Sequence, residues 1–318
     1  MNHFRCILLL LTTLLFCEPL TAYPVLHLFN FQSQGQNVSM AYAYEKPMGS
    51  SKGTVLLLHG KNFSAYYWEN TIHHLNQKGY TVIAPEQLGF GESSQPASYQ
   101  FSFQQLAKNT KQLLDSLDAT NLIVLGHSMG GMLAVRFALM YPNLCKQLIL
   151  EDPIGLEDWK LYVPYSSVDE EYRRELKKTR QDLKDYMLKN YFHNEWKNDY
   201  DALLDESSKF FARQDFQLYA KNMALTTDMI FTQPVCYEFD QLKLPVYLII
   251  GQKDKTAIGK ERADAGTAEK LGNYAELGKH VAAQIPNCKL IPLEGLGHIP
   301  HVENFAVFAK ALDSALSD

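Results

Sequence analysis

The sequence predicts an α/β fold, a mostly parallel sheet flanked by helices and interrupted once by a helical insertion. Three observations predict it. Short apolar runs bounded by turn residues, such as G53-T-V-L-L-L-H-G60 and L122-I-V-L125, read as strands buried on both faces. Stretches of helical period separate them, as expected of parallel strands joined by crossover helices. Between residues 156 and 240 this alternation stops, and the chain becomes charged and helical.

The first residues have a different character. MNHFR carries one arginine, C-I-L-L-L-L-T-T-L-L-F-C runs apolar to Cys17, and Pro19, Thr21 and Ala22 follow. This is the three-part layout of a secretory signal peptide, with cleavage expected after Ala22. Its apolar core falls short of the roughly 20 residues that span a bilayer. An uncleaved segment acting as a loose anchor is the alternative, while Phe16 is too bulky for lipoprotein cleavage before Cys17. No second apolar segment of membrane length follows, so the mature chain is expected to be secreted or periplasmic, without stable membrane insertion.

The remaining elements follow in order. F29-N-F-Q and V38-S-M-A-Y-A-Y alternate and predict a short antiparallel pair within residues 23–48. The run 53–60 is a buried strand, and residues 66–78 form a helix with Trp68, Ile72 and Leu75 on one face. Tyr80–Pro85 is the next strand, closed by the glycine-rich turn L88-G-F-G-E-S93. A helix over 102–118 turns Phe103, Leu106, Leu113 and Leu117 inward, and the strand 122–125 comes next. A helix then runs from Met132 to Tyr141, stopped by Pro142, before the strand L148-I-L-E151. After the insertion come a strand at Val246–Ile250, a charged helix over 274–284, the strand K289-L-I-P-L293 and a helix over 304–316.

Residues 23–155 and 241–318 are therefore expected to form the core domain, and 156–240 a helical cap. Within the cap, Asp169 to Tyr186 reads as one helix with Tyr172, Leu176, Leu183 and Tyr186 along a shared side. Further helices are expected near 196–206 and 210–222.

Composition narrows the classes of function. The chain of 318 residues is 46% hydrophobic and 20% charged, with a net charge of −5 and no basic tract, which argues against nucleic acid as a partner. Beyond the signal segment the cysteines are Cys145, Cys236 and Cys288, widely spaced and without a Cys-x-x-Cys pair. That pattern fits buried free thiols, with room for at most one disulfide of undetermined pairing.

The stretch Gly126-His127-Ser128-Met129-Gly130 sits between a strand and a helix. Flanking glycines permit a strained turn that lifts the serine oxygen above the sheet, with the Met129 N–H aimed at a developing oxyanion. A serine hydroxyl needs a histidine to take its proton and a carboxylate to orient that histidine. Asp254, just past the strand at Val246–Ile250, is the first choice of carboxylate, and Glu151 and Asp152 after the preceding strand are the alternatives. His298, in E294-G-L-G-H-I-P-H, is the expected base, with His301 a nearby competitor. His59-Gly60-Lys61-Asn62 follows a strand end on the same edge. There the Lys61 N–H is the second oxyanion donor, Asn62 lies behind it, and His59 is a structural group under the loop.

These features together resemble the α/β-hydrolase superfamily, in particular capped, carboxylesterase-like serine hydrolases, over nearly all of residues 25–316. The resemblance rests on His59-Gly60, Gly89-Phe90-Gly91-Glu92-Ser93, the elbow around Ser128, Asp254 and Gly297-His298. It implies a small-molecule ester substrate, acyl transfer to Ser128, and water attack assisted by His298. It also implies no metal and no organic cofactor. Epoxide hydrolases and haloalkane dehalogenases of this fold carry aspartate where Ser128 stands, and proline-specific aminopeptidases usually read Gly-Gly-Ser-Trp-Gly. The acidic Glu151 departs from the neutral residue of many relatives. An amidase, aminopeptidase or C–C bond hydrolase with the same triad, or a non-catalytic binding protein, are the alternatives. The cap aromatics Trp159, Tyr162, Tyr165, Tyr172, Tyr186, Phe192, Trp196, Phe210 and Phe211 suggest an apolar acyl pocket or, equally, packing between cap helices.

Overall fold

Eight strands form one sheet in the computed structural model, which describes residues 24–317. The expected signal segment 1–22 lies outside the described residues. The strands are β1 (Leu26–Ser33), β2 (Gln36–Glu45), β3 (Thr54–Leu58), β4 (Thr81–Pro85), β5 (Leu122–His127), β6 (Cys145–Glu151), β7 (Val246–Gly251) and β8 (Cys288–Leu293). Their spatial order is β1-β2-β4-β3-β5-β6-β7-β8. β1 with β2, and β2 with β4, run antiparallel; the other pairings are parallel.

Helices α1 (Glu69–Gln77), α2 (Phe103–Ser116) and α3 (Met129–Met140) connect the strands up to β6. Between β6 and β7 the chain makes α4 (Val168–Glu175), α5 (Arg180–Asn190), α6 (Tyr200–Ser208) and α7 (Phe216–Thr232), the helical insertion. α8 (Ala265–Lys270), α9 (Tyr274–Gln284), α10 (Pro300–Glu303) and α11 (Phe305–Ser317) complete the described chain.

The continuous apolar strands feed two cores, because successive strand residues point to opposite faces. Leu56, Leu58, Val124, Leu148 and Leu150 pack with Phe103, Leu106, Leu133 and Phe137 on one face. Val55, Leu57, Ile123, Leu125 and Ile149 meet Trp68, Ile72, Leu75 and Phe308 on the other. Each fully buried aliphatic side chain contributes about 1.5–3 kcal/mol relative to exposure, so alternation within these strands secures both helical layers at once.

Several boundaries differ from the sequence expectation, each for a local reason. α3 begins at Met129 rather than Met132. Gly130 and Gly131 have poor helix propensity, but a Cβ on Gly130 would stand 1.9 Å from the Leu58 carbonyl oxygen, and one on Gly131 2.4 Å from Pro153 Cβ. These glycines let the helix start pressed against neighbouring backbone. α1 is preceded by a 3₁₀ turn over Ala65–Trp68.

The single helix expected from Asp169 to Tyr186 is two helices. Thr179 starts the second with a capping box: its hydroxyl accepts the Asp182 N–H (3.1 Å), and the Asp182 carboxylate accepts the Thr179 N–H (2.8 Å). The break rotates the faces, so Leu176 and Tyr186 are exposed and the buried positions are Glu171, Glu175, Leu183 and Met187. The later cap helices are displaced to α6 and α7, with a 3₁₀ turn at Lys209–Ala212 between them.

From β3 the chain steps to β4 on one side and later to β5 on the other, a point where strand order reverses. In open parallel sheets such a point opens a crevice at the carboxyl ends of the strands. Those ends lead directly into His59-Gly60 and Ser128.

Candidate active site

Ser128 occupies the turn between β5 and α3 with φ 54° and ψ −120°. A non-glycine residue there stores on the order of 1–3 kcal/mol of strain and persists only where its surroundings over-determine it. Here the Ser128 N–H donates to the Glu151 carbonyl (3.2 Å), and the Ser128 carbonyl accepts from Gly131 (2.9 Å) and Ile154 (3.2 Å). Gly126 is required as well, since a Cβ on it would lie 2.2 Å from the Gly130 carbonyl oxygen.

The serine hydroxyl lies 3.0 Å from His298 Nε2, and His298 Nδ1 lies 2.7 Å from Asp254 Oδ2. The carboxylate can only accept, so Nδ1 carries the proton and Nε2 is free to accept from the serine hydroxyl. Asp254 and His298 are fully buried, and Ser128 nearly so. The second carboxylate oxygen of Asp254 accepts the Thr256 N–H at 2.8 Å, which fixes its plane. Residues from three loops thus form a continuous Ser128–His298–Asp254 triad.

Behind the triad a neutral histidine bridges its parts. His127 Nε2 is 2.7 Å from the His298 carbonyl oxygen, so this nitrogen must donate. Its Nδ1 then accepts from the Tyr67 hydroxyl (3.1 Å), and that hydroxyl accepts the Gly60 N–H (2.8 Å). Burial, reinforced by the neighbouring histidines, pushes the His127 pKa well below its usual value. The elbow, the base loop and the Gly60 loop are therefore joined by one chain of hydrogen bonds.

The Gly60 loop stands against the nucleophile: a Cβ on Gly60 would be 3.2 Å from Ser128 Cβ. Met129 opens α3, where backbone N–H groups of the first turn lack intrahelical partners. Met129 and Lys61, the residues expected to supply the oxyanion donors, are the chain neighbours of Ser128 and of Gly60 respectively. The Lys61 ammonium is nearly buried, 3.4 Å from Glu175 of α4. Burial alone would raise the Glu175 pKa, but Lys61 and Lys178 outweigh it and hold it at about 2.

The alternative acids do other work. Glu151 Oε1 accepts from both the His301 backbone N–H (3.0 Å) and His301 Nδ1 (2.8 Å), while the His301 ring stacks on Trp68 with centroids 4.4 Å apart. This second carboxylate–histidine pair accounts for the acidic residue at 151 and removes His301 as a competitor for the base. Asp152 accepts the Gly251 N–H through both oxygens (2.9 and 3.2 Å) and ties β6 to β7. Burial raises its pKa well above the usual range, with the Asp254 and Glu151 charges adding to the effect.

His59 is structural, as expected. Its Nδ1 donates to the Gly60 carbonyl (2.8 Å) and its Nε2 accepts the Gln87 N–H (3.0 Å). Burial lowers its pKa to about 4. Gly295 adopts φ +80°, but Gly297 serves close approach instead: a Cβ there would lie 2.3 Å from the Tyr191 carbonyl oxygen.

A cavity of about 600 Å³ opens beside the Lys61-Asn62 loop, under α4 and α5, with Arg174, Glu175, Lys178, Lys260 and Tyr186 in its walls. Of the cap aromatics only Tyr186 faces it. Trp159, Phe192 and Phe210 are buried in the two cores, and Tyr162 and Tyr165 are exposed elsewhere. The packing account of these rings therefore prevails over the apolar-pocket account. Cys145, Cys236 and Cys288 are free thiols, and burial pushes them up to about 12, 11 and 11.

Residues 53–262 match the family model of the alpha/beta hydrolase fold. The chain belongs to the alpha/beta hydrolase family. The match includes Ser128 and Asp254, and His298 lies beyond it. A probable hydrolytic enzyme of Pseudomonas aeruginosa PAO1 is 48% identical to this alpha/beta hydrolase, with TM-score 0.91 over 93% of this chain and 95% of that one. An esterase from Exiguobacterium antarcticum is 16% identical with TM-score 0.70, covering 91% of this chain and 99% of its own, a likeness of fold. Among curated relatives, Lipase 1 of Psychrobacter immobilis is 28% identical over 82% of this chain and 78% of its own. An uncharacterized protein of Mycobacterium tuberculosis is 36% identical over 34% of this chain, and the matched segment spans 31% of that protein. No helix among the described residues is long and apolar enough to cross a membrane.

The neutral burial of His59 makes the stability of this alpha/beta hydrolase depend on pH. Between about pH 6.5 and 4 the unfolded chain takes a proton at His59 and the folded one does not, so stability falls with pH across that window. The loss is about 1.4 kcal/mol per pH unit. The stability gap between wild type and His59→Gln, measured by urea unfolding, is therefore expected to shrink by about 2 kcal/mol from pH 7 to pH 5. A gap independent of pH would contradict the assignment.

Proposed function

We propose that this chain is a serine hydrolase that cleaves carboxylic esters through an acyl-enzyme on Ser128. The observation that carries the reading is the unbroken hydrogen-bonded path from Ser128 Oγ through His298 to Asp254, at 3.0 and 2.7 Å. Ser128 Oγ attacks the ester carbonyl carbon as its proton passes to His298 Nε2, and Asp254 stabilises the imidazolium formed. The N–H groups of Met129 and Lys61 are the proposed donors to the oxyanion. Each such donor contributes about 2.7–4 kcal/mol to transition-state stabilisation in comparable sites. Collapse expels the alcohol, which takes the proton from His298. Water then attacks the acyl-serine, His298 accepts its proton and returns it to Ser128, and the carboxylic acid leaves. The 48% identical probable hydrolytic enzyme and the more distant lipase support this class of reaction.

Residues 156–240 serve as the cap in this reading. We take the cavity beneath α4 and α5, which Lys61 and Asn62 line, as the acyl site, where its charged walls would favour short acyl groups over long aliphatic ones. Turnover of p-nitrophenyl esters is expected to depend on Ser128 and to fall from acetate and butyrate toward palmitate. Equal rates for wild type and Ser128→Ala across the panel would refute ester hydrolysis, and a maximum at palmitate would refute the short-chain preference. The location proposed is outside the cytoplasm, supported by the composition of residues 1–22. N-terminal sequencing of protein from the periplasmic or culture fraction should start at Tyr23. A chain retained in the cell and starting at Met1 would exclude that location.

A further inference from the structure

The cap does more than cover the site. Tyr191 follows α5 directly and is nearly buried. Its carbonyl accepts the His298 N–H at 3.1 Å, and its ring stacks on the His298 imidazole with centroids 4.8 Å apart and planes at 25°. Its hydroxyl accepts from Asn62 Nδ2 at 2.7 Å, in the loop that carries the Lys61 N–H. The preceding carbonyl, that of Asn190, accepts the Thr256 hydroxyl (3.3 Å), and the Thr256 N–H holds Asp254 Oδ1 (2.8 Å). Two consecutive cap residues thus touch the base loop, the acid loop and the oxyanion loop.

The chain is shaped to allow this. Only glycine at 297 leaves room for the Tyr191 carbonyl. Immediately downstream, His193 and Asn194 have positive φ of 39° and 67°, a conformation asparagine adopts readily and histidine less often. His193 Nε2 lies 3.3 Å from Glu303 Oε2, and the two oxygens of Glu303 accept the Gly297 N–H at 2.9 and 3.0 Å.

We infer that Tyr191 is a positioning residue for the reaction, holding the plane of the His298 imidazole and the Asn62 loop in register from the cap side. The inference rests on the ester-hydrolase reading above. When the serine proton moves to His298 the imidazole becomes a cation, and an aromatic face attracts the cation more than the neutral ring. The stack therefore gains strength toward the transition state, which is the condition for raising kcat rather than tightening substrate binding. The hydroxyl contributes separately by fixing the oxyanion loop through Asn62.

The test compares Tyr191→Phe, Tyr191→Leu, Asn62→Ala and the Tyr191→Phe/Asn62→Ala double variant in the full mature chain. Turnover of p-nitrophenyl acetate is expressed per active site, titrated to completion with a fluorophosphonate. Tyr191→Phe keeps the ring and should lose about tenfold in kcat with KM unchanged. Asn62→Ala should match it, and the double variant should be no worse than either. Tyr191→Leu should lose about 100-fold, as expected of a misplaced reacting group. A merely structural Tyr191 would lower Tm and the titratable fraction but leave kcat per titrated site at the wild-type value, which overturns the inference. Losses confined to KM overturn it too. If Tyr191→Leu does not fold, Tyr191→Phe and Asn62→Ala decide. A wild type no faster than Ser128→Ala would sink the ester reading and this inference together, whereas an active wild type with unaffected variants sinks the inference alone.

Discussion

Replacing Ser128 or His298 by alanine is expected to lower ester kcat by about 10⁶-fold, with the double variant no worse than either single one. The two residues act as a unit: the nucleophile has no proton acceptor without His298, and the base has nothing to activate without Ser128. Knock-outs in such units are non-additive. The geometry leaves no understudy. His301 Nδ1 is committed to Glu151 and its ring lies against Trp68, while His127 donates to the His298 carbonyl and accepts from Tyr67. The measurement is steady-state turnover of p-nitrophenyl acetate, with circular dichroism to verify the fold. Activity in His298→Ala within tenfold of wild type would mean that another group accepts the serine proton.

Asp254→Asn is expected to cost about 10⁴-fold in kcat, whereas Glu151→Gln should cost less than tenfold. The difference follows from what each carboxylate binds. In Asp254, Oδ1 accepts the Thr256 N–H and Oδ2 accepts His298 Nδ1–H. An asparagine that keeps its oxygen toward Thr256 must turn its NH₂ toward Nδ1. The imidazole then carries its proton on Nε2, facing Ser128, and cannot act as the base. Glu151 uses one oxygen, Oε1, for both bonds from His301, and glutamine can supply the same oxygen. Assaying the two variants side by side settles the assignment, and the opposite ranking would move the acid to the end of β6.

The strands and triad were legible because their signals are local. An apolar run such as Val246–Ile250 can bury both faces only as an interior strand, and Ser128, Asp254 and His298 each follow a strand end on the same sheet edge. The start of α3 was not legible. Gly130 and Gly131 read as helix breakers until the Leu58 carbonyl and Pro153 are seen to occupy the space of their missing side chains. The division of the cap is hidden for a related reason. Its apolar spacing admits one long helix, and the Thr179–Asp182 capping box that divides it is a signal only four residues long. Glu151 and Asp152 stand as alternatives to Asp254 because they too lie at a strand end on the same sheet edge. Their partners, His301 and the Gly251 N–H, lie about 150 and 99 residues away in sequence and become visible only in the folded chain. The role of Tyr191 is hidden in the sequence because its neighbours His298 and Asn62 are equally remote, and an aromatic residue at the end of a cap helix carries no mark of its own.

The most direct test of the central claim is to treat the protein with a fluorophosphonate and locate the adduct by peptide mass spectrometry. The account predicts one adduct per chain, on the peptide containing Ser128, and none in Ser128→Ala. An unlabelled wild type, or label on any other residue with Ser128 unmodified, would contradict it.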